Sequence, residues 1–485
     1  MSGHEGNSSP AEMLSAIAAM TDAPDVVHVV ANGVRGDSRV LKCAQAAIAA
    51  GRTSLIVGIV AQATFECFEI EGIPVILVPR KPRAGLAEQG PRRDTLEAWS
   101  RRERDLSRVR ATNARKAGRI GESVKGTLRA ILPRTGEPSW SARRKRILDS
   151  NLAFAEILDA LTPTTVHVHD SLPLPAACVY SARQALRHQA PVKVIYDSHE
   201  CLPELVKSYP TSPYYVSLSR IEDRYIHDAS CVITVSPAIA SLLKSVHGLA
   251  ALPGVVTNAP SSVRTSAGVN LRRQVGLDAR TPLAVYSGFI APERGIGTVV
   301  SAMARVPELH LALVVNRESE ELRSVLSLAV DLGVAERVHV APYVPPAQIT
   351  EYLSSATIGI IPLHAGAHLD LSLPSKFREY LHAGLALVVS NNRTMAAEVE
   401  ATGVGRVFES GNVHDLVTQL DTVLCDPSAF AGKITAELLA EHSWETQVEV
   451  LLRLYAPDQG CPQRGSQDAV AVQVSRIVNR IELAD

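Results

Sequence analysis

The sequence predicts an α/β protein of two Rossmann-like, doubly wound parallel-sheet domains facing across a cleft, and three observations lead there. Short β-branched runs alternate with Ala- and Leu-rich helical stretches. The series occurs twice, on either side of the Pro- and Ser-containing patch Asn258–Ser262. A chain of 485 residues also has the length of two large domains, at roughly 100–200 residues each.

Taken in order, the first series holds strands at Val26–Val30, Thr53–Ile59, Pro74–Val78, Thr165–His169, Lys193–Tyr196 and Cys231–Val235, with a helix over Ser38–Ala50 after the first. The second holds Leu283–Tyr286, Leu311–Val315, Val338–Val340, Ile358–Ile361 and Ala386–Val389, each followed by a helical pattern. Runs that are apolar on both faces suit a parallel sheet covered by helices on both sides. The expected organisation is a flexible N-terminus over 1–24, an N-terminal Rossmann-like domain over 25–260 with a basic helical insertion at 80–149, a C-terminal Rossmann-like domain over 261–456, and a tail over 457–485. In such sheets a ligand binds outside the carboxyl ends of the strands.

The near-zero net charge hides an asymmetry. Residues 80–149 carry 20 Lys+Arg and 8 Asp+Glu, which leaves 29 basic against 42 acidic residues elsewhere. Leu96, Trp99, Val109, Ile120, Val124, Leu128, Ile131 and Leu132 recur there at loosely helical spacing, so one or two amphipathic helices with a basic face are expected. This segment is either a solvated helical insertion or a surface for an anionic membrane or another polyanion. Aromatic residues make up only 4% of the chain and no stacking or zinc module occurs, so no nucleic-acid partner is expected. Seven widely scattered cysteines without a C-x-x-C pair argue for reduced thiols. No run nears ~20 apolar residues, and the opening MSGHEGNSSP lacks a secretory pattern. The expected location is the cytoplasm, peripheral to the inner face of the membrane if the insertion binds lipid.

Five segments carry candidate chemistry. The loop Asn32-Gly33-Val34-Arg35-Gly36-Asp37 has turn glycines and a cap at Asp37 or Ser38 that aims helix amides at a ligand, without a dinucleotide fingerprint. In Val166–Asp170, strand alternation puts His167 and His169 on one face with Asp170 at the strand end. An H-x-H metal pair would need further ligands, for which His199 and Glu200 are candidates; the plainer reading is two partly buried imidazoles at a cleft edge, so no metal is expected. His199, closing Tyr196–Glu200, is placed to hydrogen-bond a sugar hydroxyl or phosphate, or with Glu200 to cap the next helix. Within Gly288–Gly295, Arg294 could face a diphosphate, or it is an exposed turn arginine. In Ser372–Gly384 a helix starts at Pro374–Ser375, and Lys376 in its first turn opposes the helix dipole, which suggests an anion nearby; Glu379 follows one turn later.

The ordered set NGVRGDSRVLKCAQAAIAAG, VHVHD, VIYDSHE, CVITVSPAIASLL with VVTNAP, YSGFIAPERGIGTVVSAM and SLPSKFREYLHAGLALVVSN resembles family 4 retaining glycosyltransferases of the GT-B fold, over roughly residues 26–456 less the insertion. The resemblance implies a nucleotide sugar held by the second domain, an acceptor held by the first, and no cofactor or required metal. It implies that His199 lies near the donor sugar, that Arg294 and Lys376 meet the diphosphate, and that Glu379 grips ribose. Gly288, Asp370 and Ser372 join the expected donor site; Asn32, Gly33, Arg35, Asp37, His169, Asp170 and Glu200 form the expected acceptor side. Two positions depart from the pattern: Leu371 stands where the first glutamate of Glu-x7-Glu belongs, and Phe289 where an arginine often follows the strand-end glycine. The implied activity is transfer of a sugar to a hydroxyl acceptor with retention, in polysaccharide, glycolipid or natural-product glycoside synthesis. The alternatives are a nucleotide-sugar 2-epimerase of the same fold and a non-enzymatic polyanion-binding protein using the basic segment.

Overall fold

A computed structural model describes residues 23–60, 65–79, 91–116, 138–187, 191–262, 268, 270–371 and 373–455. The tail expected over 457–485, Ser372 and nearly all of the expected N-terminal segment lie outside the described residues. The chain forms two compact units. Among the described residues, one runs to Thr234 and adds Ala240–Val255 and Leu451–Tyr455; the other takes Val235–Ile239 and Val256–Val450. The division therefore falls at Val255 rather than 260, and the end of the last helix, Trp444–Tyr455, belongs to the first unit rather than the second. Its polar groups explain the difference. Lys193 donates to the Leu454 carbonyl at 2.6 Å, Arg52 to that of Tyr455 at 3.2 Å, and the Tyr455 hydroxyl meets His167 Nδ1 at 2.6 Å.

The first unit is built on an eight-stranded sheet: β1 (Val26–Val30), β2 (Ser54–Val60), β3 (Glu66–Ile70), β4 (Ile73–Pro79), β5 (Thr165–His169), β6 (Lys193–Ser198), β7 (Cys231–Thr234) and β8 (Gly254–Val255), in spatial order β3-β4-β2-β1-β5-β6-β7-β8. Only the β3–β4 pair is antiparallel. β3 escapes the apolar-run criterion because it is a half-exposed edge strand, closed by a hairpin in which Glu71 and Gly72 both take positive φ. Without β3 the order is that of a doubly wound sheet, and the strand order reverses between β1 and β5.

The expected insertion supplies two helices, Pro91–Lys116 and Pro138–Leu161. Trp99 and Leu106 are buried in the unit's core with Phe154, Leu158 and Val179, so the first helix is an integral layer rather than a solvated excursion. Some of its basic residues turn inward: Arg102 pairs with Asp159 at 3.4 Å and Arg110 with Asp228, while Glu103 receives Arg224 at 3.0 Å. Arg101, Arg104 and Arg108 remain exposed along one face.

The second unit has a six-stranded, wholly parallel sheet: β9 (Leu283–Ser287), β10 (His310–Val315), β11 (Val338–Pro342), β12 (Ile358–Ile361), β13 (Ala386–Ser390) and β14 (Gly405–Phe408), ordered β11-β10-β9-β12-β13-β14. Its reversal lies between β9 and β12. Separate apolar layers cover the two faces. Among the described residues no helix is long and apolar enough to cross a membrane.

Candidate functional site

In the second unit the candidate residues gather where the strand order reverses. β9 is followed by Gly288, whose φ of +121° disfavours any side chain, and a Cβ there would stand 3.4 Å from Lys376 Nζ. The chain then makes a short turn, Pro292–Arg294, into the helix Ile296–Met303. This turn is fixed to the chain after β12: His364 N–H donates to the Glu293 carbonyl at 2.9 Å, and Gly295 lies so close to Pro362 that a Cβ would fall 1.9 Å from its carbonyl oxygen. Arg294 is thereby presented on a rigid support.

The helix Ser375–His382 begins and ends as the sequence expects, with Gly384 in the left-handed region at φ +75°. Two contacts set its position. Gly359 on β12 leaves room for the Tyr380 ring, which a Cβ would meet at 2.4 Å, and the Tyr380 hydroxyl accepts from Ser287 N–H at 2.8 Å. Lys376 is consequently held over the end of β9, buried, with Nζ 3.6 Å from the centre of the Tyr286 ring. Burial drives its pKa well below the ordinary lysine range; Arg294 pushes the same way and Glu379 opposes both. Arg294, Lys376 and Glu379 thus share one electrostatic neighbourhood, with half-buried Glu379 also acting on Tyr343.

Asp370 has a structural task in addition to the expected one. Its carboxylate accepts from Arg393 N–H at 3.0 Å and its carbonyl from the Thr394 hydroxyl, so it ties down the start of the helix Arg393–Thr402. Phe289, where the family pattern often has an arginine, is exposed and stacks under the Arg317 guanidinium, 4.8 Å away.

In the first unit the organising residue is one the sequence reading passed over. Asp197, fully buried at the end of β6, is gripped by Arg39 through two bonds of 2.7 and 2.8 Å. Burial alone would raise the Asp197 pKa, but Arg39 and His199 hold it well below the carboxylate range. Around it stand His167 and His169 at 3.5 Å and His199 at 3.2 Å. His169 also meets His199 at 3.2 Å and His28, on β1, at 3.2 Å. His199 is partly exposed; burial pulls its pKa down, yet Asp170 and Asp197 outweigh that and raise it to about 9. Asp170 takes φ +62° and accepts from His199 N–H at 3.2 Å, which orients the segment carrying the imidazole.

The loop after β1 is internally braced. Asn32 donates to Asp37 at 2.7 Å and accepts from Val34 N–H at 2.8 Å, while Asp37 caps the helix Ser38–Ala49 through Val40 N–H at 3.2 Å. Gly33 is exposed and its added Cβ would meet nothing within 4 Å. Arg35 lies over the Phe68 ring of β3 at 4.1 Å, and Glu200 is exposed. Among the described residues, the side chains that could hold a metal ion are the overlapping groups His28/His167/His169, Cys43/His167/Asp197 and His169/Asp197/His199, and His28, on β1, is a candidate that the strand-end motifs do not contain.

Comparison with known proteins follows the two units. Residues 96–258 match the family described as Glycosyltransferase Family 4, and residues 270–437 match Glycosyl transferases group 1. A D-inositol 3-phosphate glycosyltransferase of Acidothermus cellulolyticus is 31% identical over 219 residues, 42% of this chain and 46% of the relative. A GDP-mannose-dependent alpha-(1-6)-phosphatidylinositol monomannoside mannosyltransferase of Mycolicibacterium smegmatis is 28% identical over 219 residues, 42% of this chain and 56% of the relative. The chain thus spans about half the length of these curated relatives. Among solved structures, sucrose-phosphate synthase from Thermosynechococcus elongatus superposes with a TM-score of 0.60 at 16% identity, over 89% of this chain and 98% of the other, a likeness of fold.

Proposed function

Because this chain belongs to family 4 of the glycosyltransferases and has the GT-B fold, we propose that it moves a glycosyl group from a nucleoside-diphosphate sugar to a hydroxyl acceptor with the anomeric configuration kept. The observation that carries this reading is the convergence of Arg294, Lys376 and Glu379 at the end of β9, beside a glycine that leaves the approach open. As the glycosidic bond breaks, the departing diphosphate gains negative charge, so cations already in place bind the transition state more tightly than the ground state. Arg294 and Lys376 supply that charge, which leaves no need for a divalent ion at the diphosphate. Glu379 receives the ribose hydroxyls. With Asp370 engaged at a helix start and Leu371 in place of a carboxylate, backbone groups of the loop from His364 hold the sugar.

His199 of the first unit orients the transferred sugar, and Asn32, Gly33, Arg35, Asp37, Asp170 and Glu200 belong to the acceptor side, with His169 fully buried behind His199 at 3.2 Å. Both curated relatives are named for inositol-bearing acceptors. A polyol phosphate is therefore the acceptor class to try first, with the exposed Arg101, Arg104 and Arg108 meeting anionic headgroups at the cytoplasmic face when the acceptor is lipid-borne.

The test is incubation with UDP- and GDP-sugars, with and without inositol phosphates, following the anomeric proton of the product by NMR. Conversion of donor to an isomer in the absence of acceptor would mean an epimerase instead. Removing either Arg294 or Lys376 should lower turnover by about 10²–10³-fold, as loss of one transition-state donor does elsewhere; undiminished transfer by Arg294→Ala/Lys376→Ala would refute the assignment.

A further inference from the structure

We propose that His28, His167 and His169 form a binding site for a divalent transition-metal ion of the zinc class, closed within the first unit. The register of the sheet creates the set. His28 on β1 is paired with His167 on β5, and alternation along β5 puts His169 on the same face. All three side chains are fully buried, and one ring nitrogen from each falls within a mutual 4.8 Å.

Three further observations point to an ion. His28 Nδ1 and His169 Nε2 lie 3.2 Å apart. Two ligands on a tetrahedral ion with bonds of ~2.0–2.1 Å are separated by roughly 3.3–3.4 Å, so little movement turns this contact into an edge of a coordination tetrahedron. Second, buried His167 Nε2 makes no hydrogen bond, its facing carboxylate Asp197 standing 3.5 Å away, a contact too long to satisfy it. Third, the outer groups that orient metal-bound imidazoles are present: His167 Nδ1 meets the Tyr455 hydroxyl at 2.6 Å, and His169 Nδ1 faces Asp197 at 3.5 Å.

Charge permits it as well. Arg39 is neutralised by Asp197, and His199 stands between Asp197 and Asp170. The rings of His167 and His169 stack at 4.3 Å, so one of them turns as the ion enters. All-imidazole donors favour zinc, copper or nickel over magnesium or calcium, and three protein ligands leave a fourth position for water.

The experiment uses the full chain without a polyhistidine tag, stripped by chelator and titrated with cobalt(II). The expected result is one saturable equivalent with tetrahedral cobalt absorption, displaced by zinc, and a melting temperature raised by zinc but not by magnesium. His28→Ala and His167→Gln should each weaken cobalt binding by more than about 100-fold, beyond the ~10–100-fold typical of outer-shell changes. Tyr455→Phe keeps all three ligands and should cost ~10-fold, so it decides the matter if the histidine variants fail to fold. His310→Ala, which removes the partly exposed His310–His339 pair, should change nothing. Absence of saturable binding, an equivalent that survives loss of His28 or His167 and vanishes with His310, or unchanged affinity in Tyr455→Phe would each overturn the proposal.

Discussion

Replacing Lys376 by methionine should weaken the ligand and strengthen the fold in one step. Lys376 is buried against Tyr286, with no hydrogen bond or ion pair among the described residues, and burial drives its pKa far down. Methionine keeps most of the volume, so the cavity cost stays below about 1.5 kcal/mol. The unfolded lysine binds a proton that the folded one resists. Stability lost this way amounts to about 1.4 kcal/mol for each pKa unit of depression, and it is regained as pH rises from the folded pKa towards the unfolded value of ~10.4. The wild-type melting temperature should therefore climb relative to Lys376→Met across the alkaline range, with the variant ahead at neutral pH. A bound diphosphate restores the ammonium. Wild-type affinity for UDP or GDP should then fall about tenfold per pH unit above the free-state pKa, with uptake of up to one proton, while the variant shows neither effect. Calorimetry in buffers of different ionisation enthalpy measures the proton directly. A variant that binds nucleoside diphosphates as tightly as wild type, or wild-type binding with no linked proton, would refute the reasoning.

Other outcomes follow from the same geometry. Arg39→Met or Asp197→Asn leaves one buried charge without its partner and should cost ~3–5 kcal/mol in urea unfolding; a double replacement by apolar residues should cost clearly less than the sum. His247 sits between Glu222 and Asp223; burial lowers its pKa, but hydrogen bonds to both carboxylates prevail and raise it to about 9. Its stabilising contribution should be complete below ~6.5 and disappear as pH rises through about 9, so that His247→Gln loses this slope in melting curves. Gly288→Ala places a methyl group at φ +121° and 3.4 Å from Lys376 Nζ, and should impair nucleotide binding more than stability, measured by titration against melting.

Much of this was legible in the chain. The apolar runs located the central strands of both sheets because such strands are buried on both faces, while β3, β8 and β14 went unread: a half-exposed alternating edge, a two-residue strand and a four-residue strand carry little periodic signal. In the site, Lys376 is recognisable from a cation placed against a helix dipole. The same cue exists at Arg39, in the first turn of Ser38–Ala49, and following it would have led to Asp197. His28 is visible only as a polar residue inside Val26–Val30, and its proximity to His169 depends on strand order, which local pattern does not encode. The structural task of Asp370 was not legible, because a carboxylate beside a donor loop looks the same in sequence whether or not it also ties down the next helix.

The two sheets treat a first-turn cation in opposite ways. Arg39 has its counter-charge written into the polypeptide, so its contribution is settled once the chain has folded. Lys376 must borrow an anion from solution. Ordinary solutes then become competitors: inorganic phosphate and pyrophosphate should act as inhibitors against the donor, and rising ionic strength should erode donor affinity while leaving the unfolding free energy of the first unit nearly untouched.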